Sequence, residues 1–278
     1  MTNDNSWDYL SADEAECSQA FMEELSSQSW AAGLVADIKR NGGITRKNKG
    51  RLFELRFAYS LHRVGIQPSY EIPGEGKSTL DFGFTSGDQE WAVELMRLEE
   101  TAAIKESTRK FQQGSDVAIS SLLLHTGASD PRQSPEAETL KAIERICQKC
   151  ERDDRPIKFP RPSGALHTIL VDSRELFFGP DHYDCIHIAL GGEYVPENVR
   201  HFWQGNVISG VFNKRTSLHG ARYAQERVHF IGFVNEQSYQ FEEFGKVIRL
   251  VANPNLFADD EAARAAVAKW PLQSVDLL

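Results

Sequence analysis

The chain has 278 residues, 41% apolar and 26% charged, with 16 Phe and 5 Trp; this core material excludes a disordered or fibrous protein. Its length is near the upper edge of what one hydrophobic core organises. No apolar run approaches the ~20 residues that span a bilayer, Met1–Glu16 has neither a basic nor an apolar leader region, and 4 cysteines cannot staple a fold of this size, so a cytoplasmic protein with no membrane association is expected.

The net charge of −9 hides an asymmetry. Residues 1–37 carry eight acids and no base, whereas residues 38–63 carry eight bases against Glu54 alone. A local positive field on an acidic body can steer a polyanion such as nucleic acid. Equally, the basic block can be satisfied by the chain's own acidic start.

In chain order, a polar lead runs into helix, with Ser11 as N-cap before ADEAE, and Asn41-Gly42-Gly43 breaks it. A second helix is expected over Asn48–Val64, with Phe53, Phe57, Leu61 and Val64 on one stripe and Gly65 closing it. Extended segments follow at Ser69–Ile72, Thr79–Thr85 and Trp91–Leu98, then helix around Thr101–Lys110 and a loop at Gly127–Ser134. From Pro135 or Glu136 to Arg152 the pattern is an amphipathic helix. Leu140, Ile143, Ile146, Cys147 and Cys150 form its apolar face; Lys141, Arg145, Gln148, Lys149 and Arg152 form a basic one. Pro156, Pro160 and Pro162 mark a linker into a strand, Leu166–Asp172. Strands at His229–Val234 and Lys246–Ala252 and a helix at Asp259–Lys269, stopped by Pro271, complete the reading.

The most informative segment is Ser78–Leu98. A tight turn at Gly87-Asp88 joins two alternating runs, and its register places Asp81 opposite Glu94. One face then holds Leu80, Phe82 and Phe84 with Trp91, Val93 and Leu95, the core side. The other holds Asp81 and Glu94, with the small residues Gly83 and Ala92 leaving room beside them. Carboxylates with Cβ atoms ~5 Å apart repel unless a cation lies between them, so the register draws a metal site, and a one-residue slip would abolish it. The alternative is a solvated hairpin face on which two acids meet. Glu54 favours the site. It sits about 20° from Leu61 on the helical wheel, at the edge of the buried stripe, and a carboxylate half inside a core face needs a partner.

This order of elements, a helix bearing Glu54, a hairpin carrying Asp81 and Glu94, a basic helix and another strand, resembles the PD-(D/E)XK nuclease superfamily over roughly residues 48–172. The resemblance implies an α/β fold with a restriction-endonuclease-like core, a mixed sheet flanked by helices. Around it the chain divides into an acidic helical N-terminal segment (1–40), a nuclease-like core (41–175) and a C-terminal α/β elaboration (176–278). It implies that Glu54, Asp81 and Glu94 hold Mg²⁺ or Mn²⁺, for which oxygen ligands are suited, and that the substrate is a phosphodiester, DNA rather than RNA. Two departures stand out. Leu80 replaces the motif proline, and Met96 occupies the position of the motif lysine, where a thioether cannot position or deprotonate a water. Either a lysine from a neighbouring element takes that role, with Lys149 first and Lys77 second, or the site is silent and the fold serves as a nucleic-acid-binding or scaffold subunit with a protein partner.

Other constellations carry less. Cys147 and Cys150 form a CxxC that points to the apolar side of a helix and reads as buried thiols. Asp181-His182-Tyr183-Asp184 with His187 reads as surface or capping chemistry. Gly74–Ser78 superficially matches a phosphate loop but leads into a strand. His201–Phe212 reads as core or interface.

Overall fold

The structure is a computed structural model that describes residues 10–99, 135–174, 180–197, 208–234, 244, 248–272 and 275–278. The expected helix at Thr101–Lys110, the loop at Gly127–Ser134 and most of His201–Phe212 lie outside these residues.

Helix α1 (Ala12–Ser26) opens on a capping box. The Ser11 hydroxyl accepts from the Glu14 N–H at 3.1 Å, and the Glu14 carboxylate accepts from the Ser11 N–H at 2.9 Å, so two otherwise orphaned donors are satisfied reciprocally. Helix α2 (Ala32–Arg40) ends at the Asn41-Gly42-Gly43 break, where both glycines have positive φ. Helix α3 (Lys49–Arg63) follows. The basic block around it is used largely inside the molecule: Arg40 pairs with Asp37 at 2.6 Å, Arg51 with Glu54, and the Arg56 guanidinium stacks over Phe21.

Strands β1 (Ser69–Pro73), β2 (Thr79–Ser86) and β3 (Gln89–Arg97) form an antiparallel meander. The β2–β3 register runs from Ser86↔Gln89 to Phe82↔Val93, the pairing that a turn at Gly87-Asp88 demands. Helix α4 (Pro135–Gln148) leads into a small hairpin, β4 (Glu151–Arg152) and β5 (Arg155–Pro156). Then come β6 (Leu166–Asp172), helices α5 (His182–Ala189) and α6 (Ala221–Arg227), β7 (Phe230–Val234), β8 (Ile248–Ala252), helix α7 (Asp260–Val267) and β9 (Val275–Leu277).

The result is an α/β fold around a mixed seven-stranded sheet of order β1-β2-β3-β6-β7-β8-β9. Its centre, β3-β6-β7, is parallel, and every residue of β6 is buried, as expected for a parallel strand covered on both faces. One core cluster packs α1, α2, α3 and the C-terminal helix α7 against one face. A second packs α4, α5 and α6 against the other. No helix among the described residues is long and apolar enough to cross a membrane.

Several expectations need correction. The helix ends at Gln148 rather than continuing to Arg152: Glu151 and Arg152 instead form β4 of the β4–β5 hairpin, whose turn residues Asp153 and Asp154 both adopt left-handed backbone (φ 52° and 58°). Two successive positive-φ residues are the requirement of a tight hairpin turn, and Asp tolerates that region without a Gly or Asn to announce it. Leu140 is 46% exposed and is not part of the buried stripe of α4. Leu80 belongs to the second core cluster, not to the Phe82–Phe84 side; the β2–β3 ladder stops at Phe82, so strict alternation with β3 does not carry through to it. Finally, the space at Gly83 is not open: the Ile72 side chain lies so close that an added Cβ would meet it at 2.8 Å.

Candidate metal centre

Glu54, Asp81 and Glu94 come from three elements. Glu54 lies in the middle of α3 and is 7% exposed; it is buried as expected, but α3 is buried without a break from Leu52 to Leu61, so the stripe has no edge there, and Val64, expected on it, is 48% exposed. Its carboxylate is held by the Arg51 guanidinium at 2.7 and 2.8 Å and lies 3.3 Å from the Tyr70 hydroxyl. Tyr70, on β1, is also 3.2 Å from Asp37. Burial keeps the Glu54 carboxyl above its ordinary range despite the opposing pull of Arg51 and Tyr70.

Asp81 stands one residue beyond the end of the β2–β3 ladder. Instead of facing solvent, its carboxylate accepts the Leu95 backbone N–H at 2.7 Å. Burial, followed by the charges of Glu94 and Glu54, raises the Asp81 carboxyl well above the usual carboxylate range. Glu94 is wholly buried on β3. Its Oε1 receives two ammonium groups, Lys149 at 2.8 Å and Lys158 at 3.0 Å. Its Oε2 is buried and has no hydrogen-bond partner among the described residues. Burial pulls the Lys149 ammonium down, but Glu94, with Asp81 and Glu54 behind it, outweighs that and leaves the pKa raised.

Lys149 therefore stands against Glu94, although it does so from the turn after α4 and not from a helical face. Lys77 does not: it is exposed in the turn before β2. Lys158, Arg51 and Tyr70 escaped sequence reasoning. Lys158 sits in a proline-bounded stretch with no periodicity, and its position is set by contacts distant in the chain. The Gly74–Ser78 turn grips it. The Lys158 N–H donates to the Ser78 hydroxyl at 2.7 Å, the Lys158 carbonyl accepts from the Glu75 N–H at 2.9 Å, and a Cβ on Gly74 would lie 2.4 Å from that carbonyl. Lys158 itself has φ 63°, a left-handed conformation that a lysine adopts only where its surroundings impose it. The next residue, Phe159, is fully buried and its carbonyl accepts from the buried Arg227 at 2.9 Å.

Above these groups opens a cavity of about 920 Å³ with Glu54, Leu95, Met96, Lys149 and Lys158 in its lining. Arg97, Lys141, Arg145 and Arg152 contribute further positive charge to its wall, against Glu99 and Glu138. Glu94 is only 1% exposed beneath Lys149 at 33% and Lys158 at 21%, so the two lysines stand between it and the cavity.

The donor set of oxygens, with the bare Glu94 Oε2 among them, suits a hard divalent cation. The charge of Glu94 raises the pKa of both Glu54 and Asp81, but the ligand atoms of the three carboxylates do not all lie within 4.8 Å of one another; among the described residues that condition is met by Glu151, Asp154 and His219. This second cluster could also hold a metal ion. It is mostly exposed, with His219 Nδ1 3.4 Å from Glu151 and 3.7 Å from Asp154, and Glu151 already accepts the Gly220 N–H.

The remaining constellations are structural. Cys147 and Cys150 are buried free thiols, and burial pushes the Cys147 thiol up to about 12. Asp181 and Asp184 form the capping box of α5, while His187 is buried rather than superficial. Compared with family models, with curated proteins and with solved structures, the chain has no match in any of the three.

Proposed function

We propose that the protein is a divalent-metal-dependent nuclease with a restriction-endonuclease-like core, acting on DNA phosphodiester bonds. The observation that carries this reading is the placement of Lys149, 2.8 Å from Glu94, beside Asp81 and under a cavity with a basic wall. It supplies from a neighbouring element the cation that Met96 lacks. Asp81 and Glu94 are the residues that would hold Mg²⁺ or Mn²⁺, with Glu54 joining if its carboxylate leaves Arg51. A metal so bound would lower the pKa of a water and screen the scissile phosphate. The chain's own contribution is positional and electrostatic. The Leu95 N–H orients Asp81, Lys149 and Lys158 place positive charge where a phosphate would develop it, and Arg97, Lys141, Arg145 and Arg152 attract the flanking backbone.

Purified protein incubated with plasmid and linear DNA in Mg²⁺, Mn²⁺ or EDTA tests this. Metal-dependent cleavage lost in Asp81→Ala and Glu94→Ala is expected; cleavage untouched by both substitutions rejects the assignment. A second reading is favoured by the same ion pairs: Glu94 neutralised by two lysines is also what a silent, DNA-binding or scaffold member of the fold would keep, with a protein partner supplying function. Absence of any Asp81-dependent Mn²⁺ binding, together with retained DNA binding, would select it.

A further inference from the structure

The centre is already neutralised from within. Arg51 balances Glu54, and Lys149 and Lys158 share one oxygen of Glu94. A divalent cation entering here meets positive side chains, and a buried carboxylate stripped of its partners is costly. Metal arrival and lysine departure therefore have to be one exchange. The direction of departure is set by the structure: both lysines border the cavity, whose wall already holds Arg97, Lys141, Arg145 and Arg152. Against Glu99 and Glu138 those four leave the wall net positive, so moving two more ammonium groups there is unfavourable unless a further anion lies among them.

Resting on the reading of Asp81 and Glu94 as metal ligands, we propose that Lys149 and Lys158 are exchangeable counterions of Glu94, released onto the backbone phosphates of DNA when a divalent metal takes their place. Metal and DNA then bind cooperatively, and the free protein holds metal weakly. The reciprocity is thermodynamic: whatever factor DNA adds to metal affinity, metal adds to DNA affinity. Lys158 is suited to such an exchange. Its backbone is clamped on both sides by the Gly74–Ser78 turn, so its ammonium swings from a fixed pivot, and Glu94 Oε2 has no donor among the described residues.

The test uses the full chain with Mn²⁺ followed by electron paramagnetic resonance, alone and with a short phosphorothioate DNA duplex that resists cleavage, corrected for Mn²⁺ on the duplex itself. The parent should bind Mn²⁺ about tenfold more tightly with the duplex than without, within the ~5–150-fold range of allosteric couplings. Lys158→Asn, a residue that tolerates the left-handed backbone, and Lys149→Gln should each bind Mn²⁺ more tightly than the parent without DNA and lose most of the DNA dependence. Near-ultraviolet circular dichroism checks folding; if Lys158→Asn fails to fold, Lys149→Gln decides. Variants that bind Mn²⁺ no better than the parent, or a parent indifferent to the duplex, overturn the exchange while leaving the metal centre standing. Mn²⁺ binding unchanged in Asp81→Asn overturns the metal centre itself, and the exchange with it.

Discussion

The Ser78 hydroxyl accepts the Lys158 N–H at 2.7 Å and donates to the Glu75 carbonyl at 2.7 Å, joining residues 80 positions apart in the chain. One serine thus fixes both the turn before β2 and the backbone of a lysine on Glu94. Ser78→Ala should lower stability by about 1 kcal/mol, the usual net worth of such a hydrogen bond. It should also loosen Lys158, so a cleavage assay would show a fall in kcat. Ser78→Thr, which keeps the hydroxyl, should restore both. Thermal unfolding and steady-state cleavage measure the two effects separately.

Asp81 is half-buried with two other carboxylates near it, and like charges in a partly desolvated site destabilise the fold that holds them. Asp81→Asn removes one charge, and its Oδ1 can still accept the Leu95 N–H. Without metal the variant should melt a few degrees higher than the parent, at roughly 2–4 °C per kcal/mol for a domain of about 150–250 residues. Saturating Mn²⁺ should raise the melting temperature of the parent by mass action more than that of Asp81→Asn, in which only the Glu151–Asp154–His219 cluster is left intact. Scanning calorimetry with and without Mn²⁺ is the measurement.

His229 Nδ1 accepts the His167 N–H at 3.0 Å, a bond available only to the neutral ring. Burial, with a contribution from His167, lowers the His229 pKa to about 4, and burial lowers that of His187 to about 4 as well. In the unfolded chain both titrate near ~6.5. Between these values the unfolded state binds the extra protons, so stability rises with pH there and is lost as pH falls from about 6.5 toward about 4. His229→Asn, whose side-chain oxygen can replace Nδ1 as acceptor, should flatten part of that slope. Urea unfolding at several pH values between these limits reads it directly.

Gly220 precedes α6 with φ 83°, and a Cβ there would lie 2.0 Å from the Cys147 carbonyl oxygen. Backbone cannot yield as a flexible side chain can, and the conformation is one that L-residues avoid. Gly220→Ala should destabilise by about 3 kcal/mol or more, at the severe end for single substitutions. Gly43, also at positive φ (71°) but with no atom within 4 Å of its Cβ position, is the control: Gly43→Ala should cost only about 1 kcal/mol.

Local rules in the sequence determined the β2–β3 register, the capping box at Ser11, the burial of Glu54 and the strand at Leu166–Asp172. Each follows from turn chemistry, alternation or helical periodicity, which act over a few residues. Turn register also brought Asp81 and Glu94 forward as candidate site residues, and the superfamily resemblance added Lys149. Tertiary structure alone decided that Lys158 shares Glu94 with Lys149, that Arg51 and Tyr70 hold Glu54, and that Ile72 fills the space at Gly83. None of these has a local signature. The left-handed backbone of Lys158 is imposed by a turn distant in the chain, and the two aspartates that turn the β4–β5 hairpin carry no glycine to mark the bend. Which cation reaches a buried carboxylate depends on how separate elements pack, and packing is summed over the whole core rather than written in any one stretch of it.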